Sequence, residues 1–205
     1  KCRSGEKLGY LKEEIEEQIK YLKLLKFSEE EIDYLKSLDL FEKDFLTYLT
    51  FFSLKNVKFI VEDNKGDLSI RATGPWESSI IVEVPLLAIV QELHFSKTHK
   101  ESHYQEARDR LKNKISLIKE TDIKFTDFGT RRRYSKKWQQ EVVETLKKEV
   151  PNNLMGTSNV LLAKKLGISP IGTMAHEFFQ AFQVLGTSFE TSQKEALYSW
   201  YKEYG

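Results

Sequence analysis

Three short polar segments carry the residues of this chain best suited to chemistry. They are Asp127-Phe128-Gly129-Thr130-Arg131-Arg132-Arg133, Gly156-Thr157-Ser158-Asn159 and Gly172-Thr173-Met174-Ala175-His176-Glu177. Each follows a hydrophobic run and precedes a helical pattern. Arginine forks match phosphate oxygens bidentately, and backbone N–H groups at a helix start add further donors. The set suits a multiply charged phosphate ligand. Plainer readings of the basic run Arg131 to Arg133, with Lys136 and Lys137 beyond it, are a solvated face or a nucleic-acid patch. Its place between a strand end and a helix start favours the anion site. One or two of the three arginines are expected to face the ligand, the others making structural salt bridges. A lone histidine is usually structural, but His176 stands at a strand end, where it becomes a candidate nucleophile or general base.

These segments need elements to hold them. From residue 121 the pattern is strand, loop, helix, repeated: strands at 123–125 and 154–155, helices at 135–150 and 160–166 with Gly167 as a stop, then Ile171 before a helix at 177–184. Such alternation predicts a parallel sheet, with the polar loops at the end where ligands bind. Three strands do not complete a barrel. The first part reads as α+β. Helices are predicted over residues 10–26, from a Ser28/Glu31 capping box, and over 41–52. A hairpin follows, with alternating Val57, Phe59 and Val61, a turn at residues 64–67, and Leu68, Ile70 and Ala72 on the return. A short strand at 80–84, a Pro85-initiated helix at 86–93, a polar loop at 96–102 and a helix at 104–120 complete it. The fold class is therefore α/β, with an N-terminal α+β region (1–120) followed by the first βα units of an irregular parallel α/β barrel (121–205), incomplete in this chain.

With 205 residues, 40% hydrophobic and 31% charged, the chain is long enough to bury a core and reads as globular. A net charge of +1 argues against a surface that coats nucleic acid, so an anion site must be local. A single cysteine, Cys2, forms no internal disulfide and fits a reducing, cytoplasmic setting. No apolar run approaches the length of a membrane span and no signal peptide opens the chain, so no membrane contact is expected. The opening Lys1-Cys2-Arg3-Ser4-Gly5 and the amphipathic end at Gly205 suggest two cut ends, although a terminal helix is also an ordinary finish. Asp127-Phe128-Gly129 is no kinase motif, since the glycine-rich loop, strand lysine and His-Arg-Asp loop are missing, and no Walker-type loop occurs. His94, His99 and His103 are loosely metal-like in spacing. Without a cysteine or carboxylate framework they read as solvated side chains of a polar loop, and no metal ligand is assigned.

The stretches at 127–135 (Asp-Phe-Gly-Thr-Arg-Arg-Arg-Tyr-Ser), 156–163 (Gly-Thr-Ser-Asn-Val-Leu-Leu-Ala) and 172–180 (Gly-Thr-Met-Ala-His-Glu-Phe-Phe-Gln) are each weak signals alone. In this order and spacing the sequence resembles the nicotinate phosphoribosyltransferases. Arg71-Ala72-Thr73-Gly74-Pro75-Trp76 and Glu83-Val84-Pro85-Leu86-Leu87-Ala88 extend the likeness. The family makes nicotinate mononucleotide and pyrophosphate from nicotinate and phosphoribosyl pyrophosphate (PRPP), using ATP. The resemblance implies that Phe128 stacks on the pyridine ring, and that Arg131, with Arg132 and Arg133, binds phosphates or the nicotinate carboxylate. It also implies that Gly129 and Thr130 line the site beside Thr173, with Gly156, Thr157 and Ser158 as the pocket floor.

Nicotinamide-using relatives carry an aspartate where Ser158 stands. A serine hydroxyl can donate to a carboxylate that an aspartate would repel, so Ser158 favours the acid over the amide. By resemblance His176 is phosphorylated by ATP, with Glu177 orienting the imidazole or, slightly favoured, capping the helix. A homodimer and Mg2+ are implied as well, the metal ligands lying outside these residues. Family members have a segment before Lys1 and continue past Gly205, so the 205 residues alone are expected to be inactive. The alternatives are a nicotinamide or quinolinate phosphoribosyltransferase, or a non-catalytic module that binds RNA or another polyanion.

Overall fold

Apolar residues at helical spacing build the first layer. The computed structural model of the chain describes residues 5–98 and 101–205, with the side chains of all but residues 101 and 102 among them. A 3-10 turn (Gly9–Leu11) leads into α1 (Lys12–Leu22), which buries Ile15, Ile19 and Leu22 beside Leu11. Helix α2 (Glu29–Ser37) opens with the expected capping box: Glu31 N–H donates to Ser28 Oγ at 3.2 Å and Ser28 N–H to Glu31 Oε2 at 2.9 Å. Helix α3 (Lys43–Thr50) is shorter than its pattern suggests, since Phe51 leaves the helical conformation. Strands β1 (Lys58–Asn64) and β2 (Asp67–Thr73) form the antiparallel hairpin, closed by Lys65 and Gly66 at φ 57° and 93°. Two left-handed residues in succession give the turn that matches strand twist.

The strand expected at 80–84 does not form. Helix α4 (Trp76–Ser79), a 3-10 turn (Ile80–Val82) and α5 (Glu83–Thr98) make one continuous helical run instead. The short apolar run Ile80-Ile81-Val82 does not distinguish strand from buried helix by period. Val82, Leu86 and Val90, four residues apart, put this run into the first core with Leu11, Ile15, Phe52, Leu54 and Val57. Pro85 has no N–H to give the carbonyl of Ile81, and the tighter 3-10 turn lies at that point. The run has 23 residues and a mean hydropathy of 1.4 over its most apolar window, enough by length and composition to cross a membrane. That corrects the reading of the sequence; one face of the helix, with Val82, Leu86 and Val90, packs into the first core. The loop expected at 96–102 is also corrected: α5 continues to Thr98 and the next helix, α6 (Glu101–Lys119), begins at Glu101. Ser96 and Thr98 stay helical by donating their hydroxyls to the carbonyls of Leu93 and His94, each at 2.8 Å. His94 is a structural tie rather than a solvated side chain, with Nδ1 2.9 Å from the Tyr10 hydroxyl and Nε2 3.4 Å from Glu6. His99 lies outside the described residues.

The second half alternates as expected: β3 (Phe125–Asp127), a 3-10 turn (Thr130–Arg132), α7 (Lys136–Glu149), β4 (Leu154–Thr157) and α8 (Val160–Leu166). Strand β3 starts two residues later than its pattern suggests, leaving Ile123 exposed. It runs parallel to β4, with Asp127 opposite Thr157. A third segment extends this ladder. Thr157 N–H donates to Ser169 O at 3.1 Å, and Ile171 N–H to Thr157 O at 3.0 Å, with Thr157 and Pro170 paired in parallel. The fold class is α/β. A second core holds Ile115 of α6, Leu146 and Val150 at the end of α7, and Leu154 of β4. Two last helices, α9 (His176–Leu185) and α10 (Ser192–Tyr204), pack on each other.

Candidate active site

The three parallel segments bring the three polar loops to one edge of the sheet. The first two are joined through the carboxylate of Asp127. Its Oδ1 accepts from Gly129 N–H at 3.0 Å, and its Oδ2 from Thr157 Oγ1 at 2.7 Å and Gln139 Nε2 at 3.1 Å. Gln139 also donates to Thr130 Oγ1 at 2.9 Å, and Asn159 Nδ2 reaches the same hydroxyl at 3.2 Å. Ser158 N–H closes the junction on the carbonyl of Asp127 at 2.8 Å. Thr157 is 0% and Gln139 5% exposed, so this network is internal and its members satisfy one another. It fixes the loop backbones and leaves other side chains to face outward.

Sequence reasoning missed Asp127, Gln139 and Asn159 as working members. A signal for Gln139 was present. It continues backwards the stripe Val143, Leu146, Val150 of α7, and a polar residue on a core stripe needs a buried partner. Asn159 is the N-cap of α8, accepting from Leu162 N–H at 3.1 Å. Gly156 is required by close approach. A Cβ there would lie 2.1 Å from the carbonyl oxygen of Ser169, so any side chain would push β4 away from the third segment.

What faces outward matches much of the expected set. The Phe128 ring is half exposed and makes no ring contact among the described residues, an open face at the strand end. The Ser158 hydroxyl makes no hydrogen bond among the described residues and is part-exposed, so its proton is available to a ligand. Thr173 is exposed on the third loop.

The arginines divide. Arg131 Nη1 meets Glu83 Oε1 at 2.6 Å and Arg133 Nε meets Glu92 Oε1 at 2.9 Å, both glutamates lying on α5. Arg132 is exposed, with no ion pair among the described residues. The backbone beyond is anchored by aromatic contacts. Tyr134 stacks on Phe95 of α5 at 4.8 Å and meets Tyr104 of α6 edge-on at 5.0 Å. Ser135 caps α7 by accepting from Trp138 N–H at 3.0 Å. Arg108 holds Glu141 through two nitrogens, at 2.5 and 3.1 Å, tying α6 to α7 and keeping the Glu141 carboxyl below its ordinary range.

His176 opens α9, its side chain 71% exposed and its Nε2 2.9 Å from Glu177 Oε1. The slight preference for Glu177 as a cap is not what the geometry shows. The N-cap residue is Ala175, with no side-chain capping bond, and the Glu177 carboxylate engages the imidazole. The His176 imidazole lies beside Glu177, and no contact with the arginine turn is seen among the described residues. Among the described residues no group of three or more histidine, cysteine or acidic side chains could hold a metal ion.

Residues 1–91 match the N-terminal domain model of the nicotinate phosphoribosyltransferase (NAPRTase) family, and residues 123–205 match the model of the NAPRTase family itself. The nicotinate phosphoribosyltransferase of Acinetobacter baumannii is 43% identical over 100% of this chain and 54% of its own length. That of Chromobacterium violaceum is 42% identical over 96% of this chain and 52% of its own. Among solved structures, the nicotinate phosphoribosyltransferase of Vibrio cholerae superposes with a TM-score of 0.82 at 31% identity, over 98% of this chain and 50% of that one. The enzyme of Porphyromonas gingivalis gives a TM-score of 0.84 at 25% identity, over 95% and 50%. The chain spans about half the length of the curated relatives it matches. With its polar loops on one parallel edge and both domain models matched, the chain belongs to the nicotinate phosphoribosyltransferase family.

Proposed function

We propose that these residues form the loop-bearing part of a nicotinate phosphoribosyltransferase of NAD biosynthesis, which joins nicotinate to PRPP with release of pyrophosphate. The observation that carries this reading is the parallel ladder β3, β4 and 169–171, which sets Phe128, Arg131, Ser158 and Thr173 at consecutive strand ends. In the transfer, the pyridine nitrogen gives its lone pair to the sugar C1 while the bond from C1 to the pyrophosphate oxygen breaks. Phe128 offers a face for the ring, and the free Ser158 hydroxyl donates to the carboxylate. Arg131 and Arg132 stabilise charge on the departing pyrophosphate. ATP enters as a substrate: its γ-phosphoryl group passes to the His176 imidazole and ADP leaves. Hydrolysis of the phosphoramidate later releases phosphate and restores the ring. The Glu177 carboxylate, 2.9 Å from Nε2, steadies the positive charge that builds on the ring as it takes up the phosphoryl group. The same reading includes a homodimer in the cytoplasm.

The test uses the protein expressed from its complete coding sequence, incubated with ATP labelled at the γ-phosphate. Acid-labile label on the wild type, absent from His176→Asn, is the expected result. Label retained in that variant removes the histidine from the mechanism. In the same preparation nicotinate should outcompete nicotinamide for PRPP, as the Ser158 hydroxyl predicts. Preference for the amide contradicts that role.

A further inference from the structure

Two of the three adjacent arginines are held by carboxylates of one helix, but the two pairs are unlike. Arg133 and Glu92 have side chains 18% and 31% exposed, whereas Arg131 and Glu83 are 40% and 45% exposed. We propose that Glu83 is a displaceable resting partner for Arg131, a carboxylate placeholder that an incoming phosphoryl group replaces, while Glu92 keeps Arg133 in place as part of the scaffold. This rests on the phosphate-binding reading above and names the residue that tunes it.

The physical case has three parts. The Arg131 contact is made through one nitrogen, Nη1, whereas a phosphate can engage a guanidinium fork with two oxygens and carries more charge than a carboxylate. Exposed pairs of this kind are weak, so a better anion displaces the resident one readily. The released carboxylate is not stranded. The Glu83 side chain is 45% exposed, so water accepts its charge.

The backbone of the turn need not move during the exchange. Asp127 holds Gly129 N–H, and Arg132 N–H bonds Gly129 O at 3.1 Å, so a change of side-chain rotamer is sufficient. Arg132, exposed and unpaired among the described residues, lies one step along the chain to share the anion. Glu92 differs because it meets a largely buried arginine, where loss of one partner leaves the other poorly solvated.

A placeholder lowers apparent affinity by the fraction of Arg131 it occupies. Removing it should therefore tighten anion binding about two- to sixfold. Calorimetric titration of inorganic pyrophosphate into the protein from its complete coding sequence tests this. Glu83→Gln should bind more tightly than wild type by that factor, and the same substitution in an Arg131→Ala background should change nothing, which separates the pair from a general loss of negative charge. Glu92→Gln should not tighten binding. Glu83→Ala is read in the same way should the amide variant not fold. Unchanged or weaker binding by the Glu83 variant, or an equal gain without Arg131, overturns the placeholder alone. A wild type that does not bind pyrophosphate overturns the phosphate-binding reading with it.

Discussion

The N-terminal core and the α9–α10 pair use the same kinds of residue to opposite ends. In the first, Leu11 and Ile15 are 0% exposed and Leu54 and Val57 1%, packed between α1, α5 and the hairpin. In the second, α9 buries no residue, and Val184, Leu185 and Phe189 are 84%, 74% and 72% exposed. Phe178 meets Phe182 at 5.1 Å and Trp200 at 5.6 Å, so the two helices are held by a local aromatic cluster rather than by a shared core. The scaffold that holds the arginine turn is thus anchored by burial. The helix that begins at His176 is anchored by neighbours in sequence. Stability and chemistry are therefore expected to separate in their response to mutation.

The largest effect expected from that contrast is in the first core. Ile15→Ala removes a fully buried side chain and should cost about 2–5 kcal/mol in urea unfolding, whereas Val184→Ser should stay within about 0.5 kcal/mol. Equal losses at the two sites would break the contrast. Next in size is Gly156→Ala, whose Cβ meets the Ser169 carbonyl. Overpacking of this kind costs about 1–3 kcal/mol. It should also blunt activity by separating the second and third loops, which sharpens the assignment of the parallel edge as the working one.

The smallest effect lies at the turn between α9 and α10. Glu195 accepts from the Thr187 side chain, from Thr191 Oγ1 at 2.5 Å and from Thr187 N–H at 3.0 Å, and these bonds hold its carboxyl below the ordinary value of 4.5. A folded-state value below the unfolded one gives stability that is present above about pH 4.5 and is lost as pH falls through the lowered value. Amide exchange at Thr187 should therefore quicken in acid, before the first core responds, and Glu195→Gln should remove that step. Acid exchange that starts in the first core would contradict the order.

How far the sequence spoke for the structure follows the same division between local and long-range causes. The Ser28/Glu31 box, the Lys65-Gly66 turn and helix α8 are determined by neighbours a few residues apart, and they form as read. Ile80-Ile81-Val82 was legible as apolar but not as helix, because what decides it is the face that Val82, Leu86 and Val90 present to a core assembled elsewhere. In the site, the three loops and their order on a parallel edge were legible. The bonds of Asp127 to Gln139 and Thr157 join residues 12 and 30 positions apart, which no local pattern encodes. The pairing of Arg131 and Arg133 with α5 was likewise hidden. Salt bridges were expected, but their partners come from a helix about 40 to 50 residues upstream, part of which had been read as a strand.

The central claim is that these loops serve transfer of a phosphoribosyl group to nicotinate. The most direct measurement is product formation from nicotinate and PRPP, with and without ATP, by the protein expressed from its complete coding sequence. The account predicts nicotinate mononucleotide and pyrophosphate in equal amounts, faster with ATP, and lost to that stimulation in His176→Asn. No mononucleotide under either condition, with the fold intact, would contradict it.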